Sequence, residues 1–329
     1  MRSEDLSQVN AIFTKAFTEA RVDEGLKLCR VSPCRPEFLR MYLERSAEGA
    51  LVAVDHERVA GFNFNHLYGS TGWMGPLAVM PRYQGTGVGK ALVSRGLDYL
   101  RGRGARILGL ETMPRNYRNI GFYARLGFEV GPLCVDMAYR THGEHPRERN
   151  GPGEVIYFSE SPEPQRKELL AGAGRISEAI ATGLDYRGEI KLNMNHRYGD
   201  TAFLVDGSEV TAFAVCHAEP YGQFEERREL KVYVLAVCPD GSGVKSRADD
   251  IVPSDRAMAR LSALLTGVRA LALRENLSAV RLHPRTDKTH ALRMLLSLGY
   301  AVAYSDLRLW LSGYRETEPA SYVHFCRWQ

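Results

Sequence analysis

The apolar positions change period in an ordered way along the chain. Across residues 5–20, Leu6, Val9, Ile12, Phe13, Ala16, Phe17 and Ala20 recur every three or four positions, which predicts an amphipathic helix. The period then shortens. Residues 51–55 and 59–62 are β-branched and aromatic runs about a polar turn and predict a hairpin. Residues 77–81 read as a further strand, 89–102 as a helix, 105–110 as a strand, and 116–126 as a helix stopped by Gly127. Helices interleaved with strands in this order predict an α/β (α+β) fold, a twisted mixed sheet with helices on both faces.

The same pattern returns later in the chain. Residues 203–213 repeat the hairpin, Leu235-Ala236-Val237-Cys238-Pro239 repeats Leu77-Ala78-Val79-Met80-Pro81, and Ser297-Leu298-Gly299-Tyr300 repeats Arg125-Leu126-Gly127-Phe128. The offsets are 210 − 59 = 151, 235 − 77 = 158 and 298 − 126 = 172. The last step is absorbed by residues 240–254, a Gly-, Ser- and Asp-rich stretch that reads as an inserted loop. Three matches in one order predict an internal duplication. Residues 141–152 hold no apolar side chain and read as the linker between a first domain, 1–140, and a second, 153–315, followed by a tail, 316–329.

Composition narrows the function classes. Forty-three Lys and Arg against thirty-nine Asp and Glu leave a net charge of +4, too little for a nucleic-acid footprint, and no basic run or aromatic platform supplies one. No apolar run reaches the roughly 18 residues of a membrane helix. The opening residues are acidic where an export signal would be apolar, so a cytoplasmic chain with reduced thiols is expected. The six cysteines form no C-x-x-C pair, and no metal site is expected. Nothing here separates a monomer from a homodimer.

The chemistry concentrates in Leu77-Ala-Val-Met-Pro-Arg-Tyr-Gln-Gly-Thr-Gly-Val-Gly-Lys-Ala-Leu92, a strand, a glycine-rich turn and a helix start. Bare N–H groups at a helix N-terminus favour a phosphate. A P-loop is excluded because Ala91 follows Lys90 and Gln84 stands where its first glycine belongs; a dinucleotide fingerprint fails at Lys90. Gln84, Gly87 and Gly89, after Val79 and Pro81, instead fit [QR]-x-x-G-x-[GA] following V-x-P. This resembles the pyrophosphate loop of the GNAT family of N-acetyltransferases. Downstream, Leu110-Glu111, then Asn116, then Tyr123-Ala-Arg-Leu-Gly-Phe128 resemble the family's second motif, with Asn five and Tyr twelve residues after the Glu. The resemblance covers residues 1–140.

It implies acetyl-CoA as cosubstrate and a small-molecule or peptide amine as acceptor, with a non-catalytic acyl-CoA-binding protein as the alternative. Leu77, Ala78 and Val79 would offer main-chain groups to the pantetheine arm. Gln84, Gly85, Thr86, Gly87, Val88 and Gly89 would cradle the pyrophosphate, with Lys90 or Arg125 near a phosphate. Tyr123 is the implied general acid. Asn116 would bind the cofactor arm or cap its helix. Glu111, at a strand end, is a general base if burial raises its pKa, or the partner of a structural arginine; His66 is a second base candidate. No cysteine lies in the motifs, which argues against a covalent intermediate. Residues 21–36 are expected to border the acceptor. In the second domain, the 172 offset puts His283, Lys288 and Leu295 at the places of Glu111, Asn116 and Tyr123. That domain is expected to keep the shape without the acid, with residual CoA binding left open. Family members usually open with a strand before the first helix; none precedes residue 5, and the alternating residues 322–326 are a candidate replacement.

Overall fold

The architecture is that of a computed structural model, which describes residues 1–25, 30–141, 151–239 and 253–328. In the first half the order is α1 (Leu6–Asp23), α2 (Pro36–Arg45), β1 (Leu51–Asp55), β2 (Arg58–Tyr68), β3 (Thr71–Val79), α3 (Val88–Gly102), β4 (Ile107–Thr112), α4 (Tyr117–Arg125) and β5 (Phe128–Arg140). The second half repeats it with a strand added at each end. It runs β6 (Glu154–Tyr157), α5 (Glu163–Ile180), α6 (Arg187–Asn195), β7 (Gly199–Asp206), β8 (Glu209–His217), β9 (Glu229–Val237), α7 (Asp255–Arg274), β10 (Ala279–Leu282), α8 (Thr289–Ser297), β11 (Ala301–Leu311) and β12 (Val323–Cys326). The expected linker lies mostly on residues 142–150 and the expected inserted loop mostly on 240–252, both outside the described residues.

Local chemistry sets the helix starts. Asn116 caps α4, its Oδ1 accepting from the Asn119 N–H at 3.0 Å. Ser254 caps α7 by accepting from the Ala257 N–H at 3.1 Å.

All strands join one twelve-stranded sheet in the order β1-β2-β3-β4-β11-β5-β10-β9-β8-β7-β6, with β12 on β9. The two halves therefore exchange their last long strands. β11 lies antiparallel between β4 and β5, and β5 lies between β11 and β10. The exchange is symmetric. Leu110 pairs with Leu309, and Leu282 with Met137; 282 − 110 and 309 − 137 are both 172, the offset of the repeat. Cys134 and Asp306, themselves 306 − 134 = 172 apart, pair directly with each other, so a pseudo-two-fold axis passes between them.

The exchange also merges the cores. On one face Leu307, Leu309 and Leu311 of β11 pack with Leu108, Leu110, Tyr123 and Phe128 of the first half. On the other, Tyr68, Trp73 and Ile107 share a cluster with Phe158, Ile176, Leu184 and Trp310 of the second.

One expectation is overturned. The tail does not replace the missing first strand: Val323–Cys326 pairs with Val237–Val234 of β9 in the second half. Only that half has an opening strand, β6 on β7, while β1 pairs with β2 alone among the described residues.

A chain ending at residue 141 would leave β4 and β5 without β11. Such bare, apolar-faced edges aggregate. Expressed alone it is expected to be insoluble or molten, and co-expression with residues 151–329 to restore a soluble complex. A monodisperse, cooperatively unfolding first half by chromatography and circular dichroism would contradict the exchanged architecture.

Candidate active site

β3 pairs in parallel with β4 only from Thr71–Met74 to Ile107–Leu110, while its other edge stays on β2 as far as Val79. Past Met74 the strands part, and the opened edge of β3 faces a cavity of about 1620 Å³. Among the residues expected to hold the cofactor, Leu77, Ala78, Val79, Gln84, Gly85, Gly87, Gly89, Lys90, Asn116 and Arg125 line it. Thr86 and Val88 do not. Thr86 turns its hydroxyl back to the Tyr83 carbonyl at 2.7 Å, and Val88 opens α3.

The turn before α3 is bare by construction. Gly85 and Gly87 have φ of 79° and 95°, left-handed values that suit glycine, and a Cβ at either would meet no atom within 4 Å. The first intrahelical bond there is Ala91 N–H to the Gly87 carbonyl at 3.0 Å. The N–H groups of Val88, Gly89 and Lys90 therefore have no intrahelical acceptor, and the helix dipole adds to their attraction for an anion. Gln84 donates from Nε2 to the Val79 carbonyl at 3.1 Å and so ties the turn to the end of the strand.

Tyr123 reaches the same cavity from α4, between Phe122 and Phe128. Burial pushes its pKa up to about 12, so the phenol keeps its proton at neutral pH.

Glu111 lines the cavity but differs from the raised-pKa base expected for it. Arg308, its cross-strand partner on β11, donates to Oε1 from Nη2 at 2.6 Å and from Nε at 3.0 Å. His283 Nε2 stands 3.2 Å from Oε2, and the Trp328 backbone N–H donates to that oxygen at 3.2 Å. Burial alone would raise the carboxyl, but the Arg308 and His283 side chains outweigh it and hold the pKa well below the usual range. The arginine ion pair weighed beside the base reading is the geometry found. His283 is the counterpart of Glu111 by the repeat, so the two symmetry-related positions touch.

His66 lies away from the cavity lining. It stacks on Trp73 at 4.0 Å, its Nε2 is 2.9 Å from the Gly75 carbonyl, and burial holds its pKa well below 6.5. Glu111, Cys134 and His283 bring ligand-type atoms within 4.8 Å of one another, the one such cluster among the described residues. The Arg308 guanidinium on Glu111 already supplies the positive charge there.

Several lining groups come from far along the chain. Asp306 of β11, almost fully buried, faces the cavity 4.0 Å from His283 Nε2, and burial followed by the Glu111 charge raises its pKa to about 8. Arg327 and Trp328 of the tail, and Tyr221, Phe224 and Lys231 of the second half, line the cavity too. No motif marked them, because only the tertiary fold brings them to the cavity. Of the expected acceptor segment, Arg21, Asp23, Glu24 and Arg30 line the cavity; Lys27 is outside the described residues, and Arg35 pairs with Glu219 at 2.7 Å.

A wedge beside a parting strand pair, a bare helix start and a buried tyrosine thus face one cavity. Residues 8–128 match the model of the acetyltransferase (GNAT) family, so the first half is similar to that family. It is similar to N-alpha-acetyltransferase 30 of Schizosaccharomyces pombe, 33% identical over 27% of this chain and 63% of that protein. It is also similar to the mycothiol acetyltransferase of Thermobifida fusca, 34% identical over 31% of this chain and 33% of that one. The matches thus span under two thirds of these relatives. A solved tandem GNAT protein from the clavulanic acid biosynthesis pathway shares the fold over 94% of this chain and 96% of its own, with a TM-score of 0.56 at 14% identity.

Removing Arg308 would strand a buried carboxylate. Arg308→Met is expected to cost about 3–5 kcal/mol, and Glu111→Leu/Arg308→Met distinctly less, in denaturant titrations. Equal losses would show that the pair carries no such burden. Because the folded-state pKa of Glu111 is depressed, its contribution is full above the unfolded value near 4.3 and fades as pH falls below it. Stability measured from pH 6 down to pH 3 should therefore drop more steeply in the native chain than in the double variant.

Proposed function

We propose that the chain is an N-acetyltransferase that moves an acetyl group from acetyl-CoA to a primary amine of a small molecule or peptide, within the first half's cavity. One observation carries the reading: the opened edge of β3, the bare start of α3 and Tyr123 line a single cavity. The free edge of Leu77, Ala78 and Val79 suits strand-like pairing with the amides of a pantetheine arm. The α3 start, with Lys90 and Arg125 beside it, suits the pyrophosphate.

The acceptor would enter from the side lined by α1 and the second half. Its nitrogen attacks the thioester carbonyl, the C–S bond breaks, and Tyr123 gives its proton to the departing thiolate. We assign removal of the amine's proton to Asp306. Glu111, with Arg308 fixed on it, holds the floor of the site. Direct attack is supported by Cys34, the one cysteine on the cavity among the described residues. Burial pushes its thiol up to about 12, far from a nucleophilic thiolate.

The test is release of the CoA thiol from acetyl-CoA against a panel of amines: amino acids, peptide N-termini, polyamines and aminoglycosides. At least one should support turnover; thermal stabilisation by CoA with no turnover on any would favour the non-catalytic reading. With a working acceptor, Tyr123→Phe should lower kcat by about 10²–10⁴ at unchanged KM for acetyl-CoA. Asp306→Asn should lower kcat and flatten the rise in rate that the native enzyme shows as pH passes about 8. An undiminished Tyr123→Phe enzyme would remove the assigned acid.

A further inference from the structure

The second half carries the same wedge as the first. β9 pairs with β10 at Glu229–Ala279, and β3 with β4 at Thr71–Ile107. These are one pairing by the offsets of the repeat, since 229 − 71 is 158 and 279 − 107 is 172. Past Lys231, β9 parts from β10 as β3 parts from β4. Its residues Val234–Val237 then occupy the place that Pro76–Val79 hold in the first half, with 237 − 79 again 158.

That place is filled. β12 lies antiparallel on it, with Phe325 opposite Leu235, His324 opposite Ala236 and Val323 opposite Val237, and every residue of the strand is buried. The surrounding residues are committed to the tail. His324 contacts Glu318 Oε1 through Nδ1 at 2.6 Å and the Tyr186 hydroxyl through Nε2 at 2.9 Å. Lys288, which stands where Asn116 does, is paired with Glu318 at 2.9 Å. Leu295, at the place of Tyr123, is fully buried in the apolar core. The strand then runs on into the first site: Arg308 donates to the Cys326 carbonyl, Arg327 pairs with Asp136, and the Trp328 N–H reaches Glu111.

We infer that the second wedge is a peptide slot whose resident occupant is the chain's own C-terminal strand, so that the molecule has one CoA site and uses the other to deliver Arg327 and Trp328 to it. Addition of a strand to an open sheet edge needs only main-chain bonds, and four buried side chains fix its register. The count of one CoA rests on the acetyltransferase reading; the occupancy of the slot does not.

Hydrogen exchange on the full chain separates the two. Without CoA, amides in 234–237 and 323–326 should exchange at least about a hundredfold more slowly than unstructured amides, as paired core strands do. Rapid exchange there would overturn the inference. On adding CoA, new protection is expected across 77–90 and none at 234–237, with one CoA bound per chain by calorimetry. Two bound CoA, or CoA-dependent protection at 234–237, would also overturn it. Absence of any protection across 77–90 would count against the acetyltransferase reading and leave the CoA-free exchange to decide the slot. Ala236→Cys/His324→Cys, directly opposed across the strands, should form a disulfide under oxidation and still bind one CoA. Loss of CoA binding on locking would show that the tail has to leave, contrary to the inference.

Discussion

Neither half of this molecule contains the strand that finishes its own sheet. β4 is completed by β11 and β10 by β5, and the site inherits its character from that constraint. A carboxylate at the end of β4 needs a buried partner, and the partner stands on a strand 197 residues away. The floor of the cavity, where Arg308 of β11 meets Glu111 of β4, follows from the exchange. Without it, Glu111 would end its strand beside an open edge, where water could screen it.

The same junction separates two acids that a simple burial argument would treat alike. Both Glu111 and Asp306 are buried, and desolvation pushes both toward the protonated form. Arg308 and His283 sit on Glu111 and keep it ionised. Asp306 is held up by burial and by the charge on Glu111, against the weaker pull of Arg327 and Arg21. Acid and base roles diverge where neighbouring groups drive pKa values apart.

Much was legible from the linear pattern because it depends on local geometry. The helix periods, the turn glycines and the short motifs all act within a dozen residues, and the matched offsets exposed the duplication. Asn116, read as a contact to the cofactor arm or as a cap, does cap α4; Gln84 was read as part of the loop and ties it to β3. The pKa direction of Glu111 was open between a raised base and an arginine partner because Arg308 stands in no nearby motif. The tail was assigned to the wrong sheet edge for a related reason. Its alternation identifies a strand but says nothing of which open edge it joins, and register depends on facing side chains such as Leu235 and Ala236.

The exchange also sets an order of events during synthesis. β5 ends at residue 140 and β11 at residue 311, so the first half leaves the ribosome with its sheet unfinished. At 5–20 residues per second, roughly 10–30 s pass before the missing strand exists. Through that interval β4 and β5 present unpaired, apolar-faced edges, and β5 can close on no native partner except strands yet to be made. The duplicated chain keeps the completing strand tethered, at a local concentration that two separate copies would have to reach by encounter.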